Sequence, residues 1–138
     1  GTLTGTATAA QYSDLAERYA SDAVYEAGTV VSFGGANEVT QSTEMYDTRV
    51  AGVVSTNPAH LMNAEAGTNE THPAIALSGR VPVKVMGTVR KGDLMVTSAQ
   101  TGVAMAADER VTGTIIGKAI EAHTGEGIGV IEVLIAMM

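Results

Sequence analysis

The chain has no cysteine and no tryptophan, a single phenylalanine (Phe33) and three prolines among its 138 residues. Without cysteine, disulfides and thiolate zinc sites are excluded, although no compartment is thereby identified. With no tryptophan and only 4% aromatic residues, the chain is poorly equipped to line a large ligand cavity or to stack against a sugar ring. Basic residues are also scarce. Eight Lys and Arg face 15 Asp and Glu, for a net charge of −7, and the basic ones form no run. Nucleic-acid binding depends on neutralising phosphates, so that balance argues against it; it argues equally against anionic lipid surfaces. An acidic surface does keep a protein soluble. The longest apolar run, residues 128–138, is interrupted by Gly129 and Glu132 and is too short to span a bilayer. No basic n-region followed by an apolar h-region is visible. Neither nucleic acid nor membrane insertion is expected.

Catalytic and cofactor motifs are missing too. Ser, His and Asp are present, but no Ser lies in a GxSxG elbow. The Gly-rich turns at Gly34-Gly35 and Gly125-Glu126-Gly127 lack the Lys-Ser/Thr that completes a phosphate loop. His60, His72 and His123 show no metal-ligand spacing. A threefold axis could still gather copies of one His. The expectation is no catalytic residues, no metal, no cofactor and no enzyme acting on an external substrate. Asp14, Glu17 and Arg18 read as a surface charge cluster of little energetic weight.

What is there is organised around residues 80–98, RVPVKVMGTVRKGDLMVTS. Val81, Val83 and Val85 alternate with Arg80, Pro82 and Lys84, the period of a strand with one buried face. Gly87 breaks the run, Lys91-Gly92-Asp93 reads as a tight turn, and Leu94-Met95-Val96 starts a second strand. The same form occurs earlier: Glu26-Ala27-Gly28-Thr29-Val30-Val31-Ser32 parallels Arg90-Lys91-Gly92-Asp93-Leu94-Met95-Val96. Gly52, within Arg49-Val50-Ala51-Gly52-Val53-Val54, parallels Gly117, and Ala74-Ile75-Ala76-Leu77 echoes Val130-Ile131-Glu132-Val133. Gly28 to Gly92 and Gly52 to Gly117 are offset by about 64 and 65 residues, a near-constant shift of the kind a duplicated unit leaves. Two related β units with unequal loops are the reading; glycine followed by apolar residues also recurs by chance in such a chain.

Further strands are expected at residues 29–33, from Val39, and at 49–55, 74–77, 80–85, 93–98, 102–106, 114–121 and 127–137, with Asn57-Pro58 closing the third. Residues 12–19, YSDLAERY, fit either a helical turn with i, i+3, i+4, i+7 spacing or an extended segment packed on the barrel. Residues 60–73 lack periodicity and read as an exposed excursion. Long loops on a rigid scaffold are where partners are contacted, so His60, Asn63, Glu65, Asn69, Glu70 and His72 are the candidate receptor-contact residues. Many short strands punctuated by glycine, and no long helix, predict an all-β barrel or sandwich.

Several segments in order resemble a domain near the C-terminus of tailed-phage tail fibres and neck appendages: residues 12–19, Tyr25-Glu26-Ala27-Gly28-Thr29-Val30-Val31, residues 50–59 (VAGVVSTNPA), Gly79-Arg80-Val81-Pro82-Val83-Lys84-Val85, Lys91-Gly92-Asp93-Leu94 and residues 116–121 (IGKAIE). Some relatives of that family are intramolecular chaperones of the peptidase G2 type, which register a trimer and cut themselves off. The resemblance implies a homotrimeric head, residues 12–138, capping a stalk that enters through residues 1–11. The latter run, GTLTGTATAAQ, is small and Thr-rich, suited to an extended strand packing on its own copies. A chain opening on Gly is expected to be a piece of a longer polypeptide. The implied role is structural and adhesive, at a fibre tip of the virion or another extracellular fibre. The implied partners are its own copies and a host-surface receptor such as a polysaccharide or outer-membrane component. A self-cleaving chaperone and a capsid decoration protein are the alternatives.

Overall fold

Residues 13–138 are described by a computed structural model; the proposed stalk segment, 1–11, lies outside them. Ten strands follow in chain order: β1 (Leu15–Arg18), β2 (Val30–Phe33), β3 (Val39–Gln41), β4 (Val50–Ser55), β5 (His60–Met62), β6 (Ala74–Met86), β7 (Leu94–Thr97), β8 (Ala104–Ala106), β9 (Ile115–Ala119) and β10 (Ile128–Ala136), with one short 3-10 turn at Ala64–Ala66. The protein is all-β. The alternation that begins at Arg80 is realised: Val81, Val83 and Val85 are buried in β6 while Arg80 and Pro82 face out.

One open alternative is settled and one expected element differs, each with a physical cause. The segment before Tyr19 forms a strand, with no helical turn among its described residues: β1 has a partner on each edge, parallel β5 and antiparallel β6. Eight residues of helix cannot compete with two ladders. The runs at 74–77 and 80–85 are one strand, because Gly79, at φ 99°, carries the chain through without ending it. A side chain at Gly79 would collide with the Ser13 carbonyl.

That long strand is shared by two barrels. The second is closed by β6–β8–β7–β9–β10, with β10 returning to β6. The first runs β1–β6–β4–β2–β3 and closes through the parallel bridge Ser21↔Val39. Their pairings correspond one to one. Val31 faces Gln41 and Gly52; Met95, about 64 positions on, faces Ala106 and Gly117. In both, the register slips immediately afterwards, at Val31/Ser32 and at Met95/Val96. Ala16↔Ala76 matches Arg80↔Leu134, and the closing bridge Ser21↔Val39 matches the parallel pair Val85↔Ala104. Even the turn bonds repeat: Gly28 N–H donates to Val54 O at 2.9 Å and Gly92 N–H to Ala119 O at 2.8 Å. The duplication is therefore built into the hydrogen-bond ladder.

One detail of the expected repeat shifts. The structural counterpart of Ala74-Ile75-Ala76-Leu77 is residues 132–135, two positions beyond the string matched by letter, since Arg18↔Ala74 corresponds to Pro82↔Glu132. The paired glycines explain themselves. A Cβ at Gly52 would strike the Ala76 carbonyl and one at Gly117 the Leu134 carbonyl, the same contact in each barrel. Gly28 and Gly92 share φ values of 88° and 89°, where side chains are strained.

The two interiors fill equivalent positions with different side chains. The first holds Val31, Val39, Ala51, Val54 and Ile75; the second holds Met95, Ala104, Ile116, Ala119 and Val133. Small and large residues trade places so that total volume changes little, the kind of exchange cores tolerate.

Candidate functional site

Residues 60–73 are an excursion with internal structure. β5 and the 3-10 turn sit against β1, and Arg18 holds the rest. Its Nε donates to Ala64 O at 3.0 Å, and Nη1 to Asn69 Oδ1 at 2.8 Å and His72 O at 2.7 Å. Asn63, in left-handed geometry at φ 57°, donates from Nδ2 to Arg18 O at 3.4 Å. Thr68 and Thr71 tie the tip, with His72 N–H donating to Thr68 O at 2.7 Å and His72 Nδ1 at 3.0 Å from Thr71 Oγ1. Of the six residues singled out, Asn63, Asn69 and His72 thus gather round Arg18. His60 stands exposed on β5, Glu65 on the 3-10 turn and Glu70 near the tip. No group of three metal-binding side chains occurs among the described residues.

Arg18 was therefore underrated by the sequence reading, and so was Asp14. The expected surface cluster is not formed: Glu17 accepts from the Tyr19 hydroxyl at 3.1 Å, and Asp14 is 1% exposed. Both Asp14 carboxylate oxygens are buried without a hydrogen bond of ordinary geometry. Burial pushes the carboxyl above its usual pKa, with smaller opposing effects from the Ser55 hydroxyl and the local backbone. The residue lines a cavity of about 150 Å³ together with Ser55, Asn57 and Arg80. Its backbone is pinned, as Ala59 N–H donates to Asp14 O at 2.8 Å. A buried carboxyl that faces a cavity without a hydrogen bond of ordinary geometry is a candidate functional group. No spacing rule signals it, because the burial comes from β5 and β6, far along the chain.

Asp47 is the contrasting case. It is 4% exposed but fully engaged, accepting from Ser32 Oγ at 2.8 Å, from Arg49 N–H at 2.8 Å and from Arg49 Nε at 3.1 Å. Burial alone would raise its pKa; the Arg49 and Ser32 bonds outweigh that and hold it low. Its own N–H donates to Thr97 Oγ1 at 2.8 Å, joining the first barrel to the second. Asp47 is structural.

Taken together, these features describe an all-β domain of two fused barrels that carries one tied excursion and two buried carboxyls, Asp47 engaged and Asp14 without a hydrogen bond of ordinary geometry. No protein-family model and no curated protein matches the sequence. Among solved structures, the crystal structure of the bacteriophage phi29 gene product 12 C-terminal fragment shares the fold, with a TM-score of 0.63 at 18% identity. The match covers 89% of this chain and 100% of that fragment.

Proposed function

We propose that this chain is the head domain of a trimeric phage-type tail appendage or fibre, structural in its primary role. In this reading it registers three chains, caps the fibre and presents residues 60–73, three times over, to a host-surface receptor. The observation that carries the reading is the fold likeness to the phage fragment along that fragment's whole length. The tied excursion supports the adhesive part. A loop pre-shaped by Arg18 loses little entropy on binding, and threefold display multiplies weak contacts. Sedimentation velocity at micromolar concentration tests the assembly, with a trimer expected; a stable monomer contradicts it. Binding of the labelled domain to host cells, reduced by Glu65→Lys with Glu70→Lys, tests the adhesive surface.

A second reading, self-cleavage, is favoured by Asp14. A buried carboxyl whose pKa burial raises can assist hydrolysis of a peptide bond beside it. The Asp14–Leu15 bond leads into a strand paired on both edges, which leaves Ser13–Asp14 as the adjacent bond outside the ladder. Water would add to the Ser13 carbonyl carbon, the C–N bond would break, and the Asp14 nitrogen would take the proton. Intact-mass measurement of a longer parent chain decides: a cut parent whose Asp14→Asn form stays whole supports it, and an uncut parent rejects it.

A further inference from the structure

The repeat identifies a face that is covered in one barrel and bare in the other. Across the first barrel, Val30, Val53, Ala76 and Ala16 are directly opposed neighbours on one outward row, and all four are 0% exposed. Directly opposed residues in antiparallel pairs share a face. The equivalent row of the second barrel is Leu94, Lys118, Leu134 and Arg80, again directly opposed. Here Leu134 is 45% exposed, Lys118 and Arg80 are exposed, and Val130 and Ile128 farther along β10 are 62% and 54% exposed. Single exposed apolar residues need no explanation, but a run of them on one strand face does.

What covers the first row is visible. The β7–β8 turn of the second barrel reaches over it: Val30 N–H donates to Gly102 O at 2.9 Å, and Gly102 N–H to Ser42 O at 2.8 Å. Val30, Val53 and Ala76 then join the second barrel's apolar cluster. The first barrel has the counterpart of that turn, residues 34–38 between β2 and β3; it is held by Asn37 Nδ2 donating to Ser21 O at 2.8 Å and Glu38 N–H donating to Ala20 O at 2.9 Å, but residues 35–38 stay exposed, with Phe33 44% exposed beside them. The counterparts of Val30 and Ser42 that such a turn would meet are Leu94 and Ala107, both half-buried. Charge agrees with the fit. Up to Leu77 the chain has nine Asp and Glu against two Lys and Arg, and from Ser78 it has six of each, so the first barrel bears the whole net charge while the bare row carries Lys118 and Arg80, with the half-buried Glu132 beside Arg80 on the same face of β10.

We infer that the outward face of the second barrel is occupied by the first barrel of another copy, whose β2–β3 turn seats beside Leu94 and Leu134 as the β7–β8 turn seats within the chain. The contact is head-to-tail, which closes into a ring rather than a twofold dimer when the rotation permits. It rests on the self-assembly reading above and adds the surface and its polarity.

The test uses the whole chain. Wild type, Leu134→Glu and Lys118→Glu are compared by sedimentation from about 1 to 100 µM; each variant is expected to weaken association about tenfold or more while far-UV circular dichroism is unchanged. Polarity is read by cross-linking, the described chain having no cysteine of its own. Lys118→Cys and Ala36→Cys proteins, mixed and treated with a short bis-maleimide, should couple to each other, and Lys118→Cys alone should not couple to itself. Should Leu134→Glu fail to fold, Lys118→Glu and the cross-link carry the test. A wild type that is monomeric throughout overturns the assembly reading and the surface together. An oligomer indifferent to both substitutions, or a Lys118→Cys self-cross-link, overturns the surface alone.

Discussion

The first barrel and the second have the same ladder, the same slipped register and the same glycine under the same carbonyl, yet they differ in charge, in cover and in attachments. The first is acidic, is roofed by its sister, and carries the excursion, the buried Asp14 and the engaged Asp47. The second is charge-balanced and leaves its outward row to solvent. After duplication, the backbone pattern was kept because it closes the barrel. Surfaces diverged because only one copy had to face the other. Specialisation thus lies in what each barrel touches, not in how each is built.

The sharpest way to break the equivalence is at the matched glycines. Gly52→Ala and Gly117→Ala should each cost roughly 3 kcal/mol or more, since backbone rather than a movable side chain blocks the new Cβ; urea melts of the two variants check this. A large loss in one and none in the other would show that the barrels are not equivalent. Next come the interiors. Ile75→Ala and its counterpart Val133→Ala should cost about 3 and about 2 kcal/mol, the difference tracking the deleted volume. Arg18→Ala should cost about 1 to 2 kcal/mol in melts, and hydrogen exchange should rise across residues 60–73 with the second barrel unaffected.

The smallest effect has an unusual sign. Asp14 has a raised pKa in the fold, so the protonated form is favoured there. Its contribution is fully present below the unfolded carboxylate value of about 3.9 and is lost as pH rises through the folded value. Asp14→Asn should therefore add about 1 kcal/mol at pH 7 and remove part of the pH dependence just above pH 4. Asp47, held low, works the other way: its stabilisation is present above about pH 4 and fades as acid protonates it. Melts of Asp14→Asn and Asp47→Asn across pH 3 to 7 should tilt in opposite directions.

Much of this was legible in the residues. Alternation at Val81, Val83 and Val85 located a strand, and Gly28 with Gly92 located the repeat, because both signals are local and periodic. The continuity of β6 through Gly79 was hidden, since glycine in a strand pattern reads as a break until a neighbouring chain is seen passing over it. For β1 the residues allowed a helical turn or an extended segment, and could not choose because the strand's two partners lie some forty and sixty residues downstream. Arg18 and Asp14 looked like surface charge because burial and tethering by distant segments leave no mark in local spacing. The excursion was recognised, but its anchor was not.

The bare row of the second barrel should be covered when copies meet. Acetylation of Lys118 and of Lys91, an exposed residue in the turn before β7, can be followed by mass spectrometry as concentration rises. Lys118 should lose reactivity as the chains associate while Lys91 keeps it. Equal reactivity of the two lysines in the associated and the dilute protein would contradict the account.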